Sequence, residues 1–371
     1  NDSIASWTFR KQPKFFDVVT FTTDASANAT VSHNLGSAPG CIITKATNAV
    51  ESWQTWHRGL TSTSYAVYLN NTNAEGSLGA SWITSSSTSV QFTNSALSAN
   101  KTYVAYLFAH NAGGFGLTGT DNVVSCSNFT TSASAGVLSN ISLGYEPQWV
   151  LVKQTNAAGN NWFIFDTMRG FSIASNQNYL NPNLLNAETD IGGGIYPTST
   201  GFSVDSNVFG TSNTYIYIAI RRGPMKVPTD GTKVFKPSTY SGNNTTKSIT
   251  GIGFAPDLVI NKPRANTLAS GNTGAFWDRL RGFPDGTKNP ALVASSTTDE
   301  ATWASLFNSF GYINNTNPNP QAGYKVINGS TDGRLVNYSS EAIGYISWLF
   351  KRAPGFFDVV CYTGTGTSNT V

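Results

Sequence analysis

Residues 35–45 read LGSAPGCIITK, and the same phrase returns as LGYEPQWVLVK at 143–153 and as IGFAPDLVINK at 252–262. Each copy has a hydrophobic residue, a glycine, two variable residues and a proline, followed by a short apolar run that ends in lysine. The copies start 108 and 109 residues apart. Self-similarity at a fixed period is the mark of repeated structural units, so we predict three units in this chain.

The glycine and the proline of each copy have separate roles. Glycine provides backbone angles that other residues avoid, which suits a tight turn. Proline ends the turn and begins a strand, where its missing N–H costs least. The positions concerned are Gly36, Pro39, Gly144, Pro147, Gly253 and Pro256.

A second phrase, an aromatic residue followed within a few positions by Arg-Gly and a hydrophobic residue, comes after the first phrase in every unit. Its arginines recur in step with one glutamate per unit, which allows two interpretations. The arginine could bind sugar hydroxyls beside the aromatic ring, or it could form a structural ion pair with the glutamate. Identical placement in all units favours the structural pair. The residues are Arg58 with Glu75, Arg169 with Glu188, and Arg281 with Glu300.

Alternation of apolar and polar residues predicts the fold class. Charged residues make up only 12% of the chain and aromatic residues another 12%, a composition typical of sheet and not of disorder or helix. Short apolar runs such as 149–153 and 258–260 enter from a proline turn, as buried strands do. We therefore predict an all-β chain of tandem antiparallel β-sandwich or jelly-roll domains in an elongated array.

The two ends of the chain match one another. Residues 6–19 (SWTFRKQPKFFDVV) correspond to 347–360 (SWLFKRAPGFFDVV). The predicted organisation is therefore the closing strand of a preceding unit, three β-sandwich repeats, and the opening strand of a fourth unit. The predicted boundaries are 1–14, 15–113, 114–230, 231–354 and 355–371.

Aromatic residues between the two phrases are the candidate ligand-binding residues. This stretch differs in length among the units, and recognition residues tend to lie where length varies on a constant scaffold. The alternative is that these side chains belong to the sandwich core. The candidates are Trp53, Trp56, Trp162, Phe163 and Trp277.

No motif for catalysis, metal or cofactor binding stands out, so we predict no enzymatic activity and no cofactor. Carboxylates are scarce, with 20 Asp and Glu in the chain, and no Ser-His-Asp grouping or nucleophile elbow is visible. Cys41, Cys126 and Cys361 occupy non-equivalent positions, which favours free buried thiols over disulfides. The net charge of +3 without a Lys/Arg cluster argues against nucleic acid. The lack of a long apolar run argues against membrane insertion.

The closing and opening phrases, WLFKR at 348–352 and APGFFDVVCYTGTG at 353–366, resemble repeats in large virion proteins of tailed bacteriophages. So do the phrase that contains Gly36 and Pro39 and the run YVAYLF at 103–108. Those repeats are concanavalin-A-like, or laminin-G-like, β-sandwiches of tail fibres and other structural proteins. The resemblance covers essentially the whole chain.

The resemblance implies a structural virion protein of the tail-fibre or appendage type that contributes to host-surface attachment. It implies an extracellular location on the tail or capsid, other virion proteins as partners, and a homo-oligomer with a trimer favoured. A host surface glycan is a further candidate partner. The alternatives are a carbohydrate-binding adhesin, a capsid decoration protein and, less favoured, a polysaccharide-degrading tailspike.

Overall fold

The computed structural model describes residues 6–116, 118–167, 171, 177–191, 193–223, 228–243, 245, 247–254, 256–264, 274–278, 291–294, 297, 310–311, 324–326 and 344–360. These residues form an all-β fold of antiparallel sheets, none of them closed, as the sequence predicts at this level. We refer below to the three predicted units as repeats 1, 2 and 3.

The strands follow the repeats along the chain. Repeat 1 contains β1 (Phe16–Thr22), β2 (Ala29–Ser32), β3 (Cys41–Ala46), β4 (Gln54–His57), β5 (Tyr65–Tyr68), β6 (Gly76–Ser77), β7 (Ile83–Ser85), β8 (Ser89–Phe92) and β9 (Thr102–Phe108), and a hairpin of β10 (Gly114–Phe115) and β11 (Asp121–Asn122) follows it. Repeat 2 contains β12 (Val124–Thr130), β13 (Leu138–Ser142), β14 (Pro147–Gln154), β15 (Trp162–Asp166), β16 (Asn178–Tyr179), β17 (Thr189–Asp190), β18 (Ile195–Thr198), β19 (Gly201–Asp205), the helical turn α1 (Ser206–Phe209) and β20 (Thr214–Arg221). Repeat 3 contains a 3-10 turn (Gly231–Lys233), β21 (Phe235–Ser241), β22 (Lys247–Ile249), β23 (Leu258–Pro263), β24 (Ala275–Asp278), β25 (Leu292–Val293), β26 (Phe310–Gly311), β27 (Tyr324–Val326) and β28 (Gly344–Phe350).

One strand order recurs in the larger sheet of every repeat. The closing strand lies between the opening strand and the strand that follows the Gly-x-x-Pro turn. The strand that carries the second phrase pairs with the other edge of that third strand. These orders are β1-β9-β3-β4, β12-β20-β14-β15 and β21-β28-β23-β24. A smaller three-stranded sheet also recurs, as β2-β8-β7, β13-β19-β18 and β22-β27-β26. The sequence repeat is therefore a repeat of topology.

The glycine of the first phrase is used as predicted. Gly36, Gly144 and Gly253 have φ of 69°, 76° and 86°, in the left-handed region that favours glycine. The chain then enters the third strand of the larger sheet. In repeat 2 the proline itself, Pro147, is the first residue of β14.

Aromatic side chains fill the space between the two sheets of a repeat. Phe21 on β1 stacks on Phe92 of β8 with ring centroids 4.6 Å apart. In repeat 2, Phe202 on β19 meets Tyr217 on β20 edge to face at 5.3 Å. Such pairs add to the stability gained by burying apolar area. Each of these repeats is therefore sandwich-like, with one face of its larger sheet turned towards its smaller sheet.

The described chain divides into two compact units. The first compact unit, Ser6–Asp166 with Ser175–Arg222, holds repeats 1 and 2 together. The second contains Thr167, Phe171 and the described residues after Arg222. One hydrophobic core runs through repeats 1 and 2, and a separate core lies in repeat 3. The domain boundaries given above remain a prediction.

The ends of the described chain differ from the predicted strands. Residues 6–11 form no strand, and the first pairing is a single bridge from Gln12 to Phe16. The equivalent strand β28 lies between β21 and β23, whereas Trp7 and Phe9 pack against the core of the first compact unit instead. Residues 358–360 likewise form no strand, and 361–371 lie outside the described residues.

Candidate functional site

Arg58 of the second phrase lies where repeat 1 meets repeat 2. It directly follows β4, and its backbone N–H donates to Gly40 O at 2.9 Å. Its Nη1 is 2.6 Å from Nε2 of His110 and 3.4 Å from the carbonyl oxygen of Cys126. Because Cys126 lies in β12, the opening strand of repeat 2, the guanidinium joins the two repeats.

The predicted ion pair between Arg58 and Glu75 is not formed. The Glu75 carboxylate accepts from Thr61, from the backbone N–H at 2.9 Å and from the hydroxyl at 2.7 Å. The Glu75 N–H donates to Thr155 O of repeat 2 at 2.9 Å. The Arg58 and Glu75 side chains thus bind different partners, although both residues lie at the junction of repeats 1 and 2. Of the other predicted pairs, Glu188 is exposed, while Arg169, Arg281 and Glu300 lie outside the described residues.

His57 makes a buried hydrogen bond between the repeats. Its Nδ1 accepts from the N–H of Gly59 at 3.0 Å, so Nε2 carries the proton and donates to Tyr217 O at 2.9 Å. Burial, with smaller contributions from Arg58 and His110, lowers the pKa of His57 to about 3. The ring is therefore neutral at pH 7 and serves as a fixed donor and acceptor.

His110 is also held neutral. Burial and the Arg58 guanidinium lower its pKa to about 4. Both of its ring nitrogens face donors, since the Cys126 N–H lies 3.1 Å from Nδ1. A neutral imidazole carries one proton on the ring, so only one of these two contacts is a hydrogen bond. Arg58 and the Cys126 N–H can both only donate, so the neutral ring accepts from one of them while its protonated nitrogen faces the other.

Gly40 is the residue that sequence reasoning missed at this junction. A Cβ built at Gly40 would lie 2.6 Å from the Cβ of His110 and 2.7 Å from the Cβ of Cys126. The backbones of the two repeats can approach this closely only because residue 40 has no side chain. The signal was present in the alignment of the repeats, where the equivalent positions are Gln148 and Asp257.

The three lysines that end the first phrase have three different environments. Lys45 is half-buried and donates to Glu51 O. Lys153 is fully buried, donates to Asn160 O at 2.8 Å and reaches Thr72 O of repeat 1 at 3.3 Å. Burial lowers the pKa of Lys153 to about 8. Lys262 is exposed, so the same position of the phrase is fully buried in repeat 2 and exposed in repeat 3.

The candidate ligand-binding aromatics lie mainly in the cores. Trp56, Trp162 and Trp277 are buried, and Trp53 and Phe163 are half-buried. Trp162 donates from Nε1 to Tyr68 O of repeat 1 at 2.9 Å, and Trp53 stacks on Tyr106 at 6.3 Å. The buried rings present no open face to a sugar in this structure. They occupy the positions that the core interpretation describes.

The cysteines described by the structure are free and buried, as predicted for Cys41 and Cys126. Burial raises the pKa of both thiols. Cys361 lies outside the described residues. In the described part of the chain, no group of three His, Cys, Asp or Glu residues is arranged to hold a metal ion. No described helix is long and apolar enough to cross a membrane.

Buried apolar side chains complete the junction. Cys41 and Ile43 of β3 face Leu151 of β14 and Ile216 and Ile218 of β20, and the space between these side chains does not admit a water-sized sphere. These residues lie on the faces of the two larger sheets that point away from the smaller sheets. We call this side of each larger sheet its outer face. In repeats 1 and 2 the two outer faces pack on each other.

The neutral histidine at the junction predicts loss of stability in acid. Unfolded His57 binds a proton near its ordinary pKa of 6.5, whereas the folded ring does so only at about 3. The unfolded state therefore binds more protons between these values, and the free energy of unfolding falls as the pH drops through this window. One such histidine accounts for about 1.4 kcal/mol per pH unit, and His110 acts in the same direction.

This pH dependence is measured by urea unfolding of the full chain and of His57→Gln at a series of pH values from neutral towards 5. Glutamine can keep a donor near Tyr217 O but does not titrate. We expect the variant to show a shallower slope of unfolding free energy against pH, by about one proton. Equal slopes in the two proteins would show that His57 is not the titrating group.

The described residues define an all-β protein with several antiparallel sheets, in which the larger sheets of repeats 1 and 2 pack on each other. The chain belongs to the family described as a domain of unknown function, DUF7483, whose sequence profile matches residues 1–224 and 230–371. Searches among curated proteins and among solved structures gave no match.

Proposed function

We propose that this chain is a structural protein of a tailed-phage virion, of the tail-fibre or appendage type. Its repeats would be tandem concanavalin-A-like β-sandwiches, or jelly rolls, arranged as an elongated array. The observation that carries the proposal is the shared core of repeats 1 and 2, in which two larger sheets of the same topology bury their outer faces against each other. The phage location rests on the sequence resemblance of the opening and closing phrases.

The junction suits a mechanical role. Apolar packing holds the outer faces together, and hydrogen bonds at their margins from His57, Trp162 and Lys153 fix their register. Their partners are all backbone carbonyl oxygens. Buried polar groups that are satisfied in this way favour one arrangement over its neighbours. Repeats 1 and 2 would then behave as one stiff segment, as a fibre or appendage requires.

The same geometry favours an architectural role over a glycan-reading one. The tryptophans that could stack on a sugar are buried at Trp56, Trp162 and Trp277. Arg58 is engaged by His110 and by the carbonyl oxygen of Cys126. We therefore propose that the assembled particle, and not an isolated sugar site on this chain, contacts the host surface. The proposed partners are other virion proteins, and the proposed functional form is a homo-oligomer. No catalytic step is proposed.

Electron microscopy of labelled particles tests the location. Antibody raised against the full chain is added to purified particles of the phage whose genome encodes it, with an antibody against the major capsid protein as the positive control. We expect label on fibres or surface appendages. Particles that bind the capsid antibody but not the test antibody would contradict the proposal.

A binding assay on host cells separates the architectural role from the adhesin alternative. The purified chain is incubated with intact host cells before and after periodate oxidation of surface glycans. The architectural role predicts no binding that oxidation abolishes. Binding that disappears on oxidation would favour the carbohydrate-binding adhesin instead.

A further inference from the structure

Within the first compact unit, the start of β1 and the end of β20 lie at the same end of the unit. Phe16, the first residue of β1, pairs with Phe108, the last residue of β9. Shortly after β9 the Asn111 N–H donates to Val124 O at the start of β12. Val124 in turn pairs with Ile220 near the end of β20. A continuous row of strand ends therefore leads from the entry of the chain to its exit, with the connection between repeats 1 and 2 in the middle of the row.

This connection carries the hairpin of β10 and β11, which we call the clasp hairpin (residues 113–116 and 118–122). The Gly114 N–H donates across it to Gly119 O at 2.8 Å, and the Asn122 side chain accepts from the Gly113 N–H at 3.1 Å. The hairpin forms a two-stranded sheet of its own and belongs to neither sheet of either repeat. Completing a sandwich is therefore not its role.

The clasp hairpin contacts Lys14 at the entry of the chain. A Cβ built at Gly114 would lie 3.0 Å from the Cβ of Lys14 and 3.1 Å from its Cδ, so the lysine stem lies directly on the hairpin backbone. Lys14 is itself fixed in the turn before β1, where its φ is 65° and its N–H donates to Leu35 O at 2.6 Å. The entry turn and the hairpin are therefore packed on each other.

The clasp hairpin contacts Arg221, the last residue of β20, at the exit of the chain. The guanidinium lies over the Phe115 ring, 4.8 Å from its centroid, and Nη2 is 3.5 Å from Oδ2 of Asp121. Nη1 donates to Asn122 O at 3.4 Å, and the Arg221 N–H donates to Val123 O at 2.8 Å. A cation is attracted both to the face of an aromatic ring and to a carboxylate. The Arg221 side chain thus binds both strands of the hairpin.

We propose that the clasp hairpin joins the entry and the exit of the first compact unit, so that tension along the chain acts on the clasp before it acts on the shared core of repeats 1 and 2. A pull that separates the entry turn from β20, once it has lifted residues 6–11, must break the contacts of Lys14 or Arg221. Only then are the pairs of β1 with β9 and of β12 with β20 loaded. This inference goes beyond the proposed function, because it depends only on contacts within one compact unit and stands whether or not the protein belongs to a virion.

Constant-force measurements on the full chain, held by its two ends, test the clasp. Opening of the first compact unit is recognised by its length, since the stretch from Lys14 to Arg221 extends by roughly 700 Å at about 3.3–3.6 Å per residue. We expect the double variant Phe115→Ala/Asp121→Asn to open about fivefold faster at a given force, because it loses a cation–π contact and an ion pair. Phe115 is half-buried and Asp121 is exposed, so the variant should retain the shared core.

The matched control is the double variant Tyr196→Ala/Asp24→Asn. Tyr196 is a half-buried aromatic residue in the smaller sheet of repeat 2, and Asp24 is exposed in the turn after β1, at the end opposite Phe16. This variant loses similar side-chain contacts at places that tension reaches late, so its opening rate should change less than about twofold. An unchanged opening rate in the clasp variant, or an equal increase in the control, would overturn the proposal.

Hydrogen exchange of the unchanged chain covers the case in which the clasp variant does not fold. The Gly114 and Arg221 N–H groups donate to Gly119 O and Val123 O in the closed clasp. We expect both N–H groups to exchange at least about a hundredfold more slowly than in an unstructured peptide. Exchange of Gly114 at the rate of an unstructured peptide would show that the clasp is open in the unstretched protein, and this result would also overturn the proposal.

Discussion

Replacing Gly40 by alanine is expected to lower the free energy of unfolding of the first compact unit by about 3 kcal/mol. The new Cβ would lie 2.6 Å from the Cβ of His110 and 2.7 Å from that of Cys126. Neither atom is the free end of a flexible side chain, so backbone must move. The Gly40 N–H donates to Phe108 O, and the Gly40 carbonyl oxygen accepts from the Arg58 N–H, so the Gly40 backbone is fixed by two hydrogen bonds.

Chemical denaturation of the full chain measures this effect, and Gly76→Ala is the matched control. Gly76 also lies at a strand position of repeat 1, but a Cβ there would have no atom within 4 Å. The control should change stability by less than about 1 kcal/mol, within the range of propensity effects. Similar losses at both positions would show that close approach of the repeats does not account for the glycine.

Replacing Arg222 by methionine is expected to cost about 3–5 kcal/mol, as does removal of one partner from other buried ion pairs. The Arg222 and Glu146 side chains are 2% and 1% exposed, and their charged groups are in direct contact. The Arg222 N–H also donates to Glu146 O at 2.8 Å. Methionine would keep much of the side-chain volume but would remove the guanidinium from the buried carboxylate.

The matched control for Arg222→Met is Lys11→Met in the same compact unit. Lys11 pairs with Asp17 at 3.1 Å, but its side chain is 58% exposed. Asp17 is buried, but its carboxylate also accepts from the N–H groups of Val18 and Asn34. Loss of the exposed lysine should therefore cost about 1 kcal/mol or less, and denaturation midpoints should separate the two variants clearly. An Arg222→Met loss as small as that of Lys11→Met would mean that the buried pair does not stabilise the fold.

The sequence predicts the repeat and its local structure because both depend on short-range backbone rules. Gly36, Gly144 and Gly253 adopt the positive φ that a glycine turn requires, and Pro147 begins a strand. Alternation correctly indicates antiparallel sheet. These features are visible from one unit alone, since they need no knowledge of what lies beside the sheet.

The junction between repeats 1 and 2 cannot be predicted from short-range rules, because it depends on which sheet faces pack against each other. Lys153 and Lys262 have the same place in the repeat, yet one is buried and the other exposed. Arg58 recurs in step with Glu75 along the chain, but its partner His110 follows the closing strand of repeat 1 and its partner Cys126 belongs to repeat 2. Residues that recur in every unit reflect the structural requirements of a single unit. In the sequence, contacts between units are indicated only where one unit departs from the repeat, as at Gly40.

Native-state hydrogen exchange of the full chain and of Ile218→Ala tests the shared core of repeats 1 and 2 most directly. Ile218 is 2% exposed on the outer face of repeat 2, and loss of a buried isoleucine costs about 2–5 kcal/mol. Exchange reports the opening free energy of each strand. Our account predicts that the variant loses protection by similar amounts in β14 of repeat 2 and in β3 of repeat 1. Loss confined to repeat 2, with β3 unchanged, would contradict it.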